Sequence, residues 1–469
     1  MPEMAFRPRF HFLPAANWMN DPNGLIDYQG QYHLFYQSNP EAPDFGRMAW
    51  GHAASPDLVH WERRPVAIWP DTPNDCDGCW TGCAVDHDGK PTLIYTGRVG
   101  ESEYVCQAVS VDGLNTFTKP EKHRLEVFPP QGETLTGFRD PYVWRESDGW
   151  YLVIGSGFTG KGGAALLYRS FDLLAWEYLG PLLTCDSDRT GTMWECPNFF
   201  PLGEKYVLIV SDSPHGIVRY FSGRYVDHHL VVEHEGVLDA GGYLYAPQVL
   251  RDHCVRTILI GWVWEGLAKE ARLANGWAGM MSLPRQLSLQ PDGTLVNLPV
   301  GEVDSLRAAA IVMAGLSLAA DQEVWLPLQA DSFELQVEFE PCAATCGVKL
   351  ACTPGGEEET LIGYDPQSRQ VFIDRAQSSL FAGAQNGEPI PALATSLRQG
   401  GVLELAPGET LRLRIFCDRS IIEIFANDRL SLTSRIYPGS PAALGVKLFA
   451  TGGPATVTAV HAWQMKSIW

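Results

Sequence analysis

The stretch ESDGWYLVIGSG (146–157) is one copy of a pattern that recurs along the first three hundred residues. It places a polar turn before an alternating or fully apolar strand. Four other copies are DYQGQYHLFYQ (27–37), DHDGKPTLIYTG (86–97), LGEKYVLIVSD (202–212) and RDHCVRTILIGW (251–262). The turns at Gly30, Gly89, Gly149 and Gly203 are 59, 60 and 54 residues apart, and a fifth near Cys254 follows 51 residues later. A period of 51–60 residues is the length of four short strands with their turns, which predicts five propeller blades.

A second repeated element lies between these copies. SPDLVHW (55–61), SVDGLNTF (110–117) and SFDLLAW (170–176) each begin with Ser-x-Asp and end on an aromatic residue, with their serines 55 and 60 residues apart. The alternative interpretation is a series of unrelated β-hairpins, as in any β-rich protein. The interleaving of two elements at one period favours the propeller.

The composition excludes several classes of protein. Apolar residues make up 45% of the 469-residue chain and charged residues 19%, which is typical of a packed globular protein and not of a disordered one. The net charge of −20 argues against nucleic acid or an anionic membrane as a partner.

No apolar run is long enough to span a bilayer. The start MPEMAFRPRFHF lacks the apolar core of a secretory signal. The spacing of the 11 cysteines is not typical of a disulfide framework, so we expect a reduced, cytoplasmic protein. We expect the chain to be a monomer or a homodimer.

The composition and the hydrophobic pattern of the sequence change after residue 300. VDSLRAAAIVMAGLSLAA (303–320) has helical composition, and strands with period-2 alternation follow it, such as FELQVEFE (333–340) and ATVTAVHAWQM (455–465). We therefore predict an all-β chain: a five-bladed β-propeller over residues 1–302, a linker over 303–325 and a C-terminal β-sandwich over 326–469.

Polar residues occur at similar offsets before the turns of the repeat. Equivalent positions on five blades converge on the propeller axis, so residues far apart in the chain are expected to share one pocket. These residues are Asp21, Trp80 with Thr81, Asp140, Glu195 and Gln248, between 6 and 9 positions before their turns.

Three of these positions are carboxylic acids. Acids in close proximity repel, which separates their pKa values and suits a reaction that needs one ionised carboxylate and one protonated acid. Glycoside hydrolysis has this requirement. Each acid also has a structural interpretation: Asp21 lies in the turn-forming NDPNG, and Asp140 between Arg139 and a proline is typical of a turn. Glu195 in an apolar run is harder to explain structurally, because an unpaired buried carboxylate is costly.

Three blocks of sequence resemble those of a known family. WMNDPNG (18–24), FRDP (138–141) and WECPN (194–198) are similar to the signature blocks of glycoside hydrolase family 32, the invertases and fructan hydrolases. The resemblance extends in order along nearly the whole chain. It implies a five-bladed propeller followed by a β-sandwich, in agreement with the repeats.

The resemblance also implies catalytic roles. Asp21 would be the nucleophile that forms a covalent fructosyl-enzyme, Glu195 the general acid and then base, and Asp140 the stabiliser of the transition state. Arg139 would keep Asp140 ionised and lie close to Glu195. Retention of configuration would place Asp21 and Glu195 about 5 to 5.5 Å apart, with Glu195 protonated in the resting enzyme.

Further residues are expected to bind the sugar on the strength of the same resemblance. Two departures from the family pattern occur: Phe45 stands where members often have Trp, and Asn198 where Asp is commoner. The first would weaken stacking at the rim, and the second would lower the pKa of Glu195 or alter the preference for the leaving group. The expected substrate-binding residues are Asn20, Gln37, Phe45, Trp50, Trp80, Thr81, Arg139 and Asp239.

Other motifs are weaker. GSGFTGKG (155–162) nearly matches a phosphate-binding loop, but Gly162 replaces the required Ser or Thr and a strand follows. CDGC (76–79) with Cys83 lacks the second half of a zinc site. We expect no cofactor and no catalytic metal. The leading hypothesis is a retaining β-fructofuranosidase acting on a small carbohydrate. The alternatives are a fructosyltransferase, a sucrose-6-phosphate hydrolase, an inverting arabinoside hydrolase and a non-catalytic sugar-binding protein.

Overall fold

The computed structural model describes residues 6–381 and 392–469, and strands dominate it. The first three sheets follow one another in chain order and are antiparallel. Their strands are β1 Asn17–Tyr28, β2 Gln31–Asn39, β3 Ala49–Ser55 and β4 Glu62–Ile68; β5 Gly78–His87, β6 Lys90–Val99 and β7 Ser102–Val109; β8 Leu135–Glu146, β9 Gly149–Phe158, β10 Gly162–Ser170 and β11 Glu177–Thr184.

Two more sheets complete the N-terminal region. Helix α1 Ser187–Thr190 precedes the fourth sheet, and helix α2 Lys269–Asn275 lies within the fifth. Their strands are β12 Met193–Leu202, β13 Lys205–Ser213, β14 Ile217–Val226 and β15 His229–Val237; β16 Leu244–Arg251, β17 Thr257–Val263, β19 Met280–Met281, β20 Arg285–Leu289 and β21 Leu295–Pro299. The short strand β18 Trp277–Ala278 lies between β17 and β19 in the chain but belongs to the first sheet.

The first strands of the five sheets form a closed ring. β1 contacts β5, β5 contacts β8, β8 contacts β12, β12 contacts β16, and β16 contacts β1. The short strand β18 pairs in parallel with β1 at the edge of the first sheet, so the end of this region is joined to its beginning. The five predicted hairpins are confirmed, because each first strand pairs with its successor antiparallel.

Packing between neighbouring sheets explains the fully apolar strands. In β9, Leu152 and Ile154 belong to the core shared with the second sheet, whereas Tyr151 and Val153 belong to the core shared with the fourth. Side chains alternate between the two faces of a strand, so a strand buried on both faces needs an uninterrupted apolar run. This is the physical origin of the repeated motif.

The C-terminal region contains two six-stranded antiparallel sheets. Their inner faces share one core, in which Leu335, Ile415 and Val460 of one sheet meet Val348 and Leu448 of the other. One sheet contains β22 Arg307–Leu318, β24 Ser332–Phe339, β29 Leu411–Asp418, β30 Ile421–Ala426, β31 Leu430–Arg435 and β33 Ala455–Met465. The other contains β23 Gln322–Gln329, β25 Thr345–Cys352, β26 Thr360–Asp365, β27 Gln370–Asp374, β28 Arg398–Val402 and β32 Gly445–Thr451, with helix α3 Ala392–Thr395 before β28.

The predicted linker over 303–325 is wrong for most of its length. A 3₁₀ helix, Gly301–Leu306, is followed by β22, which pairs along its length with β33. The alanine-rich composition favours a helix, but pairing with a long neighbouring strand outweighs that weak local preference.

Five buried charged residues join the two regions, and we call them the interface cluster: His11, Asp239, Arg285, Asp418 and Glu423. Arg285 lies 2.8 Å from Glu423 and 3.0 Å from Asp239. His11 contacts Asp418 at 2.9 Å and Glu423 at 3.3 Å. Because each of the five is buried, these ion pairs fix the orientation of the C-terminal sheets on the N-terminal ring.

Candidate active site

The first strand of each N-terminal sheet has an irregularity near the position where the repeat predicted a polar residue. An extra residue in one strand of an antiparallel pair bends the strand and redirects its side chains. Asp140 and Cys196 lie within these irregularities and have φ values of 62° and 49°, which surrounding structure must enforce. The pairing shifts between Met19 and Pro22, Trp80 and Gly82, Arg139 and Tyr142, Glu195 and Asn198, and Tyr245 and Gln248.

The redirected side chains meet in one pocket of about 510 Å³. All three predicted catalytic acids line it. Gln248, the fifth predicted position, points elsewhere and donates to the carbonyl of Gly82 at 2.9 Å. The acids at the pocket wall are Asp21, Asp44, Glu103, Asp140, Glu195 and Glu265, and the cations are Arg98, Arg139 and Arg272.

Asp21 accepts hydrogen bonds on both carboxylate oxygens. Asn20 donates to Oδ1 at 3.1 Å, while Thr81 and Gln37 donate to Oδ2 at 2.5 and 3.2 Å. Burial and the nearby charge of Glu195 raise the pKa of Asp21, and the hydrogen bonds from Thr81 and Asn20 oppose this rise. The three donors therefore orient a carboxylate that has no cationic partner within 4 Å in the part of the chain that the structure describes.

Asp140 is buried on the opposite side of a thiol from Asp21. The Cys196 Sγ atom lies 3.6 Å from an oxygen of each acid, and the Cys196 backbone N–H donates to Asp140 at 2.9 Å. Burial raises the pKa of Asp140 to about 7, assisted by the charges of Glu195 and Asp21. Arg139 lowers this pKa, as expected, but its charge does not outweigh burial.

Glu195 has two donors. Arg139 donates to Oε1 at 2.6 Å and Tyr245 to Oε2 at 2.5 Å. Arg139 is itself positioned by Glu103 at 3.1 Å. The expected contact between Arg139 and Glu195 is thus present, whereas the protonated state of Glu195 stays a prediction.

Ten residues of the pocket wall contact one another in a closed series, which has two halves. One half, which we call the aromatic arc, is a series of ring contacts 4.3 to 6.4 Å apart. The other, which we call the charged arc, consists of ion pairs and ends where the Arg98 guanidinium lies over the Trp80 ring at 4.7 Å. Sugars suit such a wall because their C–H faces pack on rings while their hydroxyls hydrogen-bond to polar groups. The aromatic arc is Trp80, Phe45, Trp18, Trp262, Trp264 and Tyr245; the charged arc is Glu195, Arg139, Glu103 and Arg98.

Several polar atoms at this wall lack a protein partner. Within the described ranges, Oε1 of Gln37, Nε1 of Trp262 and of Trp264, and Nε of Arg272 are buried and make no hydrogen bond. Buried polar groups are normally paired, so these atoms leave hydrogen-bonding capacity at the pocket wall that no protein group uses.

Most expected substrate-binding residues lie at this wall. Asn20, Gln37, Phe45, Trp80 and Arg139 line the pocket directly. Thr81 lies behind it, fully buried, and acts on the site through its hydrogen bond to Asp21.

Two further expected residues, Trp50 and Asp239, are not at the wall. Trp50 is fully buried, and its indole donates to the Trp80 carbonyl at 3.0 Å, so it supports the pocket from behind. Asp239 belongs to the interface cluster, where Arg285 and the side chain and backbone of Thr433 bind its carboxylate. Position in a motif could not reveal that these side chains point away from the pocket.

The departure at Asn198 also has a structural use. Its amide donates to the carbonyls of Cys196 and Pro247 at 2.9 and 2.8 Å, and its oxygen accepts from the Val249 N–H at 3.0 Å. A carboxylate could not make the two donations. Asn198 therefore ties β12 to β16 beneath the pocket.

Four of the six rings of the aromatic arc and five of the nine charged residues of the pocket were not predicted from sequence. Tyr245 lies in YLYAPQ, three residues before the predicted Gln248, and the register shift in β16 brings Tyr245 to the site. Arg272 comes from the short helix α2, which no repeat position marks. The unpredicted lining residues are Trp18, Asp44, Arg98, Glu103, Cys196, Tyr245, Trp262, Trp264, Glu265 and Arg272.

The weaker motifs have structural explanations. Residues 155–162 span a hairpin between β9 and β10, so the helix that a phosphate loop needs is not formed there. In CDGC, Cys76 is exposed and Cys79 is buried. Across residues 6–381 and 392–469, no group of three or more His, Cys, Asp or Glu side chains is arranged to hold a metal ion. None of the helices in these ranges is long and apolar enough to cross a membrane.

Comparison with known proteins agrees with this geometry. The family model described as the glycosyl hydrolases family 32 N-terminal domain matches residues 11–299, and the family 32 C-terminal model matches residues 302–464. A sucrose-6-phosphate hydrolase of Zymomonas mobilis subsp. mobilis is 37% identical, covering 98% of this chain and 92% of its own length. A raffinose invertase of Escherichia coli is 34% identical, covering 98% and 95%.

Solved structures give the same result. The crystal structure of fructan 1-exohydrolase IIa from Cichorium intybus superposes with a TM-score of 0.90 at 27% identity, covering 100% of this chain and 98% of that one. Both family models are matched in order and together span nearly the whole sequence. The chain therefore belongs to glycosyl hydrolase family 32 and is a glycoside hydrolase.

Proposed function

We propose that this enzyme hydrolyses terminal β-D-fructofuranosyl residues of sucrose and short fructo-oligosaccharides with retention of configuration. The observation that carries the proposal is the meeting of Asp21, Asp140 and Glu195 in one pocket whose wall is half aromatic and half charged. Asp21 and Glu195 differ in their hydrogen-bond partners. Neutral groups donate to Asp21, whereas Arg139 and Tyr245 donate to Glu195.

These environments support distinct roles. Asp21 attacks the anomeric carbon and forms the covalent fructosyl-enzyme, while Glu195 protonates the leaving oxygen and then activates water. Asp140 accepts hydrogen bonds from the fructosyl hydroxyls and balances the positive charge that develops at the ring. Arg139 keeps Glu195 in place for both proton transfers.

We also propose the domain organisation that this function needs. The five N-terminal sheets, with first strands in a closed ring, are the blades of a propeller that ends near residue 302. The two C-terminal sheets form a β-sandwich that begins at β22, earlier than residue 326. A cytoplasmic location is supported by the free thiols of all 11 cysteines.

Sucrose 6-phosphate is the second candidate substrate, since several relatives are named sucrose-6-phosphate hydrolase. The charges of the pocket favour the unphosphorylated sugar. Each lining cation is already paired with a lining acid: Arg98 and Arg139 with Glu103, and Arg272 with Asp44. Six acids and three cations leave the wall negative, which repels a phosphate dianion.

The test is a substrate panel of sucrose, sucrose 6-phosphate, 1-kestose, inulin and levan, with NMR of the anomer that forms first. We expect β-fructofuranose first, free fructose in excess of transfer products, and a higher kcat/KM for sucrose than for its phosphate. Release of the α-anomer would overturn retention, and a tenfold preference for the phosphate would reverse the choice of substrate. Oligosaccharide products in excess of fructose would indicate a transferase.

Asp21→Asn gives the matching loss-of-function test. We expect at least a ~100-fold loss of kcat/KM on sucrose. Asp428→Asn, at a surface ion pair with Arg412, is the control and should retain full activity. A sugar-binding protein without catalysis would show no sucrose hydrolysis in either variant or in the wild type.

A further inference from the structure

One segment of the pocket wall rests directly on the C-terminal region. Glu265 lines the pocket, and the Tyr437 hydroxyl donates to its Oε1 at 2.6 Å. The same hydroxyl accepts from the Gly266 N–H at 2.9 Å. Arg435 donates to the carbonyl of Trp264 at 3.2 Å and lies 3.4 Å from Glu265. Arg435 is the last residue of β31, and Tyr437 lies two residues beyond it. Together they bind three consecutive residues of the pocket wall, Trp264, Glu265 and Gly266.

These contacts are shielded from water. Arg435, Tyr437 and Glu265 are 1%, 2% and 4% exposed. A buried carboxylate or guanidinium that loses its partner cannot take water instead without rearranging. The position of this wall segment therefore depends on side chains that follow it in the sequence by 170 residues and more.

The wall segment leads to the proposed acid. The Trp264 ring packs on the Tyr245 ring with centroids 5.2 Å apart. Tyr245 donates to Glu195 at 2.5 Å. Every member of this series is packed against the next, so a displacement of Glu265 and Trp264 is transmitted to the hydroxyl that orients Glu195.

From these contacts we infer that Tyr437 and Arg435 are positioning residues for catalysis. They hold the Trp264–Glu265 wall, and through Tyr245 they hold Glu195 in the geometry needed to protonate the leaving oxygen. The inference rests on the proposed function, and it gives the C-terminal sheets a part in the reaction besides stability.

Tyr437→Phe tests the inference, because it removes only the hydroxyl. Tyr364→Phe is the matched control: Tyr364 is also a buried tyrosine of the C-terminal region, and its hydroxyl donates to the Leu403 carbonyl at 3.2 Å, away from the pocket. Tyr245→Phe sets the scale, since it removes the donor to Glu195 itself.

The readout is kcat/KM on sucrose and on an aryl β-fructofuranoside such as the 4-nitrophenyl compound. Sucrose needs its leaving oxygen protonated, whereas 4-nitrophenolate leaves without an acid. We expect Tyr437→Phe to lose about 10-fold on sucrose and less than about 2-fold on the aryl substrate. Tyr245→Phe should show the same asymmetry, and Tyr364→Phe should match the wild type on both.

The outcomes separate the two proposals. If the wild type fails to hydrolyse both substrates, the proposed function itself is wrong. If the wild type is active but Tyr437→Phe equals Tyr364→Phe, or loses both substrates equally, the positioning role is wrong. Glu265→Leu provides a second variant, which removes the acceptor for Tyr437; a preserved sucrose rate with this variant would also overturn the inference. Melting curves of all variants correct the rates for folded protein.

Discussion

The pocket and the interface cluster both bury acids, but their charges are compensated in opposite ways. In the pocket, burial and neighbouring acids raise the pKa values of Asp21 and Asp140. In the interface cluster, burial also acts to raise the pKa of Glu423, but Arg285 and His11 outweigh it and lower this pKa below its ordinary value. The contrast teaches that burial alone does not identify a functional acid. Asp21 and Asp140 differ from Glu423 in their neighbours, which do not offset the effect of burial on their pKa values.

The cost and benefit of the two arrangements differ accordingly. An acid with a raised pKa destabilises the folded protein once it is ionised, so the pocket reduces stability in exchange for reactivity. In the interface cluster, direct ion pairs offset part of the desolvation cost. Removing an acid should therefore affect activity in the first region and stability in the second.

Glu195→Gln should have the largest effect. The amide cannot transfer a proton, so kcat/KM on sucrose should fall by about 10²- to 10⁴-fold, while the melting temperature changes little. Steady-state rates and thermal melts check this. A large loss of stability with little loss of rate would place Glu195 in the same class as the interface acids.

Glu423→Gln should have the reverse effect. It leaves Arg285 and His11 without part of their compensation, and breaking a buried pair costs about 3–5 kcal/mol of unfolding free energy. Urea unfolding measures the loss. Glu404→Gln, at an exposed pair with Arg369, is the control. Because Glu423 does not line the pocket, kcat/KM per folded molecule should change little; a selective loss of rate would contradict the comparison.

The pH dependence of stability should also report the interface cluster. Burial lowers the pKa of His11, but hydrogen bonds and charges from Asp418 and Glu423 raise it to about 9 in the folded state, from an unfolded value of 6.5. The folded state thus binds this proton more tightly. The resulting stability is complete below about pH 6.5 and is lost as the pH rises towards 9, by about 3 kcal/mol in total.

His11→Gln should flatten this part of the curve. Unfolding free energies at pH 6.5 and 9, measured for wild type and variant, check the effect. His60→Gln, at an exposed Asp57 pair, should leave the wild-type slope unchanged. An unaltered slope in His11→Gln would show that His11 does not carry the proton.

Phe45→Trp should have the smallest effect. Phe45 is 54% exposed at the rim, between Trp18 and Trp80. A larger ring adds stacking area worth about 0.5–1.5 kcal/mol, so KM for sucrose should fall by a few-fold with kcat unchanged. Phe171→Trp, on an exposed loop, is the control. A rise in KM would mean that the smaller ring is needed to admit the leaving group.

Much of this comparison could be predicted from the sequence, but not all of it. The repeat and the signature blocks predicted which three acids meet in the pocket. They did not distinguish Asp239, which resembles a sugar-binding acid by position, from an acid of the interface cluster. Its partner Thr433 lies 194 residues further along the chain. The composition of residues 303–320 likewise predicted a linker where the sheet forms an edge strand.

The sequence by itself determined the five repeats, the two β-rich regions and the identity of the three acids, because local alternation and turn residues specify strands and the period of the repeat aligns them. Only the tertiary structure decided where those acids point and how their charges are compensated. Register shifts in five separate strands aim the side chains, and partners as far apart as Glu265 and Tyr437 complete the wall. Such contacts depend on how sheets pack against one another, and no local pattern encodes them.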